Sequence, residues 1–258
     1  MKKLLLIISL FLSQLMFTTT LKAQDYMDLL LLFVDEKYDI CFHKAMKYTT
    51  KDKTKKDALP YLYVAMSSLE MSQDHKYTNM YPKAYKTAIS FTGKYRRKDK
   101  EYEFKQDAEE FIEKIKFIIV EDIENLISEK TESNFMKAAS FTSKICKMDP
   151  NDNGAKLLHA YLCYVTKNKS TGKELYKTSI EYINNIQDDK FAFSNMTESQ
   201  QYFLRLGIME YANYKRKKPS MAMLVIELGK KFFYIDRNDC LLEDNSDFKA
   251  LYDELDAL

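Results

Sequence analysis

Glycine and proline are scarce in this chain and tryptophan is missing altogether: 258 residues hold 5 Gly, 4 Pro and no Trp. A β-sandwich or barrel turns roughly every 8–12 residues and draws on those two residues to do it, so the shortage excludes that class. Cysteine is equally thin, with 4 residues, which excludes a small scaffold stapled by disulfides. With 46% hydrophobic and 30% charged residues the chain is neither disordered nor collagen-like. What remains is a helical protein.

Charge of one sign is lacking as well. Met1-Lys2-Lys3 precedes a run from Leu4 to Phe17 broken only by Ser9, Ser13 and Gln14, and Leu21-Lys22-Ala23 ends on a small residue. This pattern predicts a secretory signal peptide over residues 1–23, cleaved after Ala23. Its apolar run spans roughly 21 Å as helix, short of the ~30 Å hydrocarbon core, so the mature form is expected to carry no membrane span. No cysteine lies near the cut to accept a lipid. Cleavage removes three lysines and no acid from 40 basic and 38 acidic residues, leaving a net charge of −1. Nucleic-acid binding, which needs a basic footprint, is therefore not expected. The local basic runs Lys51–Lys56, Lys94–Lys98 and Lys215–Lys218 fall at expected helix ends and loops, where solvated charge complements the helix dipole. The stretch from Asp236 to Asp256 is acidic, with eight acids against Arg237 and Lys249.

Catalytic motifs are missing too. The sequence contains no G-x-G-x-x-G, no phosphate loop, no G-x-S-x-G and no H-E-x-x-H. The cluster Glu109, Glu110 and Glu113 is expected on a solvated helix face. No enzyme and no cofactor is expected.

What is there is apolar spacing of helical period. Phe104, Ala108, Phe111, Ile112, Ile115, Ile118, Ile119, Ile123 and Leu126 form one stripe, with Lys105, Glu109, Glu110, Glu113 and Lys116 on other faces. The same reasoning predicts helix pairs at 26–34 and 37–49, 59–72 and 81–95, 102–129 and 133–147, 154–167 and 171–185, and 198–214 and 219–234. A last helix is predicted at 247–256. Pro60, Pro82 and Pro219 sit ahead of apolar stretches, and Pro150 marks a turn. Residues 185–195 form the longest break. The mature chain, 24–258, reads as a single domain.

The second helices of the pairs repeat one another. Tyr38-x-x-Cys41-x-x-x-Ala45-x-x-Tyr48 aligns with Tyr81-x-x-Ala84-x-x-x-Ala88-x-x-Phe91 and with Phe135-x-x-Ala138-x-x-x-Thr142-x-x-Ile145. Looser copies begin at Gly172 and Ala222. A small residue at 41, 84, 138, 172 and 222 lets helix axes approach. The intervals are 43, 54, 34 and 50 residues.

Phe203-x-x-Leu206-Gly207, the Met148-Asp149-Pro150 junction, and Ala160 followed by Gly172, Tyr176 and Ser179 resemble the tetratricopeptide repeat (TPR) family. That family has a 34-residue period and a W-x2-L-G-x2-Y first helix. Phe replaces the Trp, and the expected aromatic comes one residue late, at Tyr211. Asn245–Leu251 is similar to the capping helix of such arrays, and the likeness covers 133–256 best. The resemblance implies an all-α, TPR-like α-solenoid of about five antiparallel helix pairs plus a C-terminal capping helix. It also implies a concave groove lined by the first helix of each pair, with Tyr161, Tyr164 and Tyr211 pointing into it.

Three histidines and four cysteines complete the candidates. His43 and His75 read as surface residues. His159 and Cys163 share a helix face, with Cys146 in the preceding helix. Three readings stay open for them: small core residues, a Cys146–Cys163 disulfide in an oxidising compartment, or a metal site with three ligands in sight. The aromatics, 19 Tyr and 16 Phe, read mostly as core. The leading expectation is a non-enzymatic exported module that binds a protein or peptide partner. Its rivals are a structural subunit of an envelope assembly contacting its partner through the acidic C-terminal stretch, and an enzyme built around His159 and Cys163.

Overall fold

The computed structural model describes residues 26–186, 195–218, 222 and 246–257. The expected leader over 1–23, most of the helix expected at 219–234, Cys240 and the start of the acidic stretch lie outside the described residues. Among the described residues the chain is all-helical and contains no strand. No helix among the described residues is long and apolar enough to cross a membrane. The helices are α1 Met27–Val34, α2 Tyr38–Thr50, α3 Leu59–Gln73, α4 His75–Thr78, α5 Ala84–Lys98, α6 Lys105–Ser128, α7 Glu132–Met148, α8 Asn153–Val165, α9 Lys169–Ile186, α10 Glu198–Lys215 and α11 Ser246–Asp256. They fall into two compact units, Met1–Phe104 and Lys105–Leu258.

Helix starts use side-chain oxygens in place of the missing intrahelical acceptors. Thr131 caps α7, Asp152 accepts from Ala155 N–H at the start of α8, and Thr197 with Gln200 forms a reciprocal capping box on α10. Among the described residues no glycine takes a left-handed conformation, and helix ends place other residues there instead, at Glu36, Lys130 and Lys167. After α1, Lys37 N–H reaches back to the Leu32 carbonyl and Glu36 N–H to that of Phe33. After α8, Asn168 and Lys167 make the same pair of bonds to Cys163 and Tyr164. Both ends are thus Schellman motifs, and the turn between the two helices is the same device used twice.

In the unit Met1–Phe104, α3 is central. It packs on α1, α2 and α5 and buries Leu62, Val64, Ala65, Leu69 and Met71. Helix α1 turns Leu29 inward and leaves Met27, Leu30, Leu31 and Val34 exposed. The short helix α4 was not expected; Asp74 caps it, and it carries the buried Tyr77 against Met71 and Ala84. Helix α5 begins at Ala84, later than the predicted 81, because Tyr81, Pro82 and Lys83 complete a turn. This insertion, with the 51–58 loop, explains the long 43-residue interval.

In the unit Lys105–Leu258, α8 is central and packs on α7, α9 and α10. The small residues lie where helices meet. Ala138, Ala160, Gly172, Gly207 and Ala222 are buried, as are Cys41 and Ala84 in the unit Met1–Phe104. A β-carbon placed on Gly207 would stand 2.9 Å from the Gly154 carbonyl oxygen and 3.0 Å from Leu158 N. One placed on Gly172 would stand 3.1 Å from the Ala160 carbonyl oxygen. The axes of α8 and α10 are therefore closer than any side chain permits, and that proximity sets which rings meet beyond the crossing.

Candidate functional site

Beyond the Gly154–Gly207 crossing, α8 and α10 bring together rings spaced three apart on each helix. Tyr161 and Tyr164 come from α8, Tyr211 and Tyr214 from α10. Tyr164 stacks on Tyr214 at 5.8 Å and meets Tyr211 edge-on at 6.0 Å; Tyr161 meets Tyr214 edge-on at 6.1 Å. Helix α9 adds Tyr176, stacked on Tyr211 at 4.5 Å. The three tyrosines expected in a groove thus belong to one cluster. Tyr161 and Tyr211 are buried within it and Tyr164 is half-buried. Tyr214, at 37% exposure, is the most open of these rings, and Tyr176, like Tyr164, is half-buried beside it.

Lys215 closes the cluster. Its Nζ lies 4.8 Å from the centre of the Tyr164 ring, 5.0 Å from Tyr214 and 5.4 Å from Tyr211, a cation held by three ring quadrupoles. Burial, helped by the Lys218 charge, lowers its pKa. Burial raises the phenols of Tyr161 and Tyr211, so both stay protonated. Burial raises the Glu210 carboxyl, which is hydrogen-bonded with the Tyr161 hydroxyl. Sequence reasoning missed Tyr176, Tyr214 and Lys215. Tyr214 carried a usable signal, since it follows Tyr211 by three residues as Tyr164 follows Tyr161.

His159 sits half-buried behind this face. Thr142 Oγ1 lies 2.8 Å from its Nδ1 and Cys163 Sγ 3.8 Å from its Nε2. Burial, then the Lys147 charge, pushes the imidazole down to about 4, so it is neutral. Burial pushes the Cys146 thiol up to about 12 and raises that of Cys163 as well. Cys41, Cys146 and Cys163 are free thiols, and Cys41 Sγ donates to the Leu29 carbonyl at 3.5 Å. The pairing of His159 with Cys163 read from the sequence is therefore real as a contact, but both groups rest in uncharged forms. Among the described residues, no group of three or more His, Cys, Asp or Glu side chains is arranged to hold a metal ion. His43 and His75 are exposed.

Two residues expected on the polar face of α6 lie elsewhere. Lys116 is fully buried, with Nζ 2.8 Å from Asp149 Oδ2 and 2.9 Å from Asp152 Oδ2, beside the Phe203 ring. Glu113 accepts from Ser199 N–H and Oγ at the start of α10. The polar residues of α6 thus hold the Asp149–Pro150 junction and the beginning of α10 in place. Burial opposes charge on Asp149, but Lys116 outweighs it and keeps that carboxyl low. Burial, reinforced by Asp149, pushes Asp152 up to about 6. One ammonium shared by two carboxylates explains the split.

Compared with protein-family models, curated proteins and solved structures, the chain matches none.

Proposed function

We propose that this chain is an exported, TPR-like α-solenoid that binds a protein or peptide partner through the tyrosine face of α8 and α10. The observation that carries the reading is the close approach at Gly154 and Gly207. Two helices that begin consecutive pairs lie side by side there and present Tyr164, Tyr214 and Lys215 together. Stacked helix pairs with adjacent first helices create an extended surface on one side. Tyrosines fixed by their neighbours offer large contact area at small entropic cost. His159 and Cys163, neutral and bonded within the helices, pack rather than react.

The test is a photo-reactive phenylalanine analogue at position 214 in the native cell. A discrete adduct with one partner is expected. An adduct pattern no different from that of a probe at the exposed Met136 on α7 would contradict the reading.

A further inference from the structure

Two basic runs far apart in sequence meet at one end of the unit Met1–Phe104. Lys51–Lys56 follows α2, and Lys94–Lys98 closes α5. Lys98 Nζ donates to the Lys55 carbonyl at 2.9 Å, joining the two runs. The sequence alone predicts solvated charge at helix ends and loops for both. Instead they border an open groove of about 600 Å³ floored by Met46, Thr49, Tyr61 and Phe91 and edged by Lys94 and Arg97.

The floor is fixed. Tyr61 stacks on Phe91 at 6.0 Å, and its hydroxyl donates to the Lys55 carbonyl at 2.9 Å. Lys94 Nζ stands 3.8 Å over the Phe91 ring and Lys98 Nζ 5.4 Å over Tyr61. Acids beside the two runs are engaged in part: Asp52 by Lys55 at 2.5 Å, Asp57 by the Tyr26 hydroxyl at 2.6 Å and Asp99 by the Tyr95 hydroxyl at 2.6 Å. Among the described residues, Lys94 and Arg97 form no ion pair. The C-termini of α2 and α5 each contribute about half a negative charge, less than the cations around them supply. Residues 26–104 carry 15 Lys and Arg against 11 Asp and Glu, a net +4 within a nearly neutral chain. A second open groove of about 460 Å³ runs along α2, bordered by Ile40, His43, Lys47 and Lys51, with Lys44 there paired to Asp28 at 2.7 Å.

We propose that this groove binds an acidic protein segment that carries apolar side chains among its carboxylates. This rests on the reading of the chain as an interaction module, but it places a second contact on separate residues. Carboxylates suit the Arg97 fork and the Lys94 ammonium, and steer association through the local field. The floor of Met46, Thr49 and two rings takes an apolar side chain, which a purely charged ligand would leave unused. A single-stranded nucleic acid stacks its bases on free ring faces, whereas here each ring already carries the other ring and an ammonium. A lipid surface needs protruding apolar groups, and these are recessed.

The experiment uses the full mature chain and a fluorescent synthetic peptide of Asp and Glu interrupted by Phe. Comparators are the same peptide with Ser for Phe, an oligothymidylate, and phosphatidylglycerol vesicles. The double variant Lys94→Glu/Arg97→Glu alters only groups at the groove rim, and circular dichroism verifies its fold. The Phe-containing peptide should bind, weaken with salt, bind about tenfold tighter than its Ser form, and lose about tenfold or more in the variant. Equal binding by wild type and variant, absence of binding, or tighter binding of oligothymidylate or vesicles would overturn the proposal. A partner adduct at position 214 without peptide binding would sink the groove alone. Peptide binding without that adduct would sink the tyrosine face and leave the groove standing.

Discussion

Gly207 and Gly154 face each other across α10 and α8, and a β-carbon on Gly207 would sit 2.9 Å from the Gly154 carbonyl oxygen. Alanine is the better helix former by about 1 kcal/mol, so in open space either substitution would stabilise. Here the obstacle is backbone. A β-carbon on Gly154 would run into the Leu204 backbone N and stand 2.5 Å from Leu204 Cα, while one on Gly172 would be less crowded, with the Ala160 carbonyl oxygen at 3.1 Å and side-chain atoms of Tyr164 and Cys163 at 3.2 and 3.3 Å. The expected order of destabilisation is Gly154→Ala, then Gly207→Ala, each by about 2 kcal/mol or more, then Gly172→Ala near neutral. Urea denaturation of the three variants checks it.

Glu36 occupies the left-handed region at φ 57° in the Schellman turn after α1, and its side chain is exposed. Glycine adopts that conformation without the clash of a β-carbon. Glu36→Gly should raise the stability of the chain by about 0.5–1 kcal/mol, read as a higher denaturation midpoint. A lowered midpoint would show that the turn is held by something other than its backbone bonds.

His159 and Asp152 titrate over overlapping ranges with opposite signs. The His159 imidazole, at about 4 in the fold against 6.5 free, refuses a proton that the unfolded chain accepts, so acidification through that window destabilises. The Asp152 carboxyl, at about 6 in the fold against 3.8 free, takes its proton first in the fold, so acidification from pH 6 downward stabilises. Relative to wild type, Asp152→Asn should lose more stability between pH 6.5 and 4, and His159→Gln less. Asparagine keeps an acceptor for the Ala155 N–H, so the cap survives. Unfolding midpoints of the three proteins across that range provide the comparison, and parallel slopes would refute it.

The thiols of Cys41, Cys146 and Cys163 are all raised by burial. Thiolate is the reactive form, so all three should react slowly with a disulfide reagent at neutral pH and rapidly once the chain is unfolded. Peptide mapping by mass spectrometry assigns each site. Fast labelling of Cys163 in the native protein would revive the reading of His159 and Cys163 as a catalytic pair.

The helices were legible in the sequence because apolar spacing reports which face is buried. Most predicted ends fall within one or two residues of the observed ones, as at 59–72 against Leu59–Gln73. The small residues were legible for the same reason, since Ala138, Ala160, Gly172 and Gly207 interrupt otherwise bulky stripes. Lys116 was not, because a buried lysine reads as polar face until its partners Asp149 and Asp152 are brought to it by the α7–α8 turn. Helix α4 escaped for want of length, one turn being too short to show a period. Of the aromatic cluster, Tyr161, Tyr164 and Tyr211 were reached only through the resemblance to the TPR family. Tyr176 joins only through the approach of α9, which no spacing along one helix encodes.

The central claim is that α8 and α10 hold a partner on their tyrosine face and perform no chemistry behind it. The most direct measurement is the yield of the position-214 photo-adduct in two second-site backgrounds. Cys163→Ala should leave the adduct intact, and Lys215→Glu, which reverses the cation among Tyr164, Tyr211 and Tyr214, should abolish it. An adduct that survives Lys215→Glu but disappears with Cys163→Ala would contradict the account.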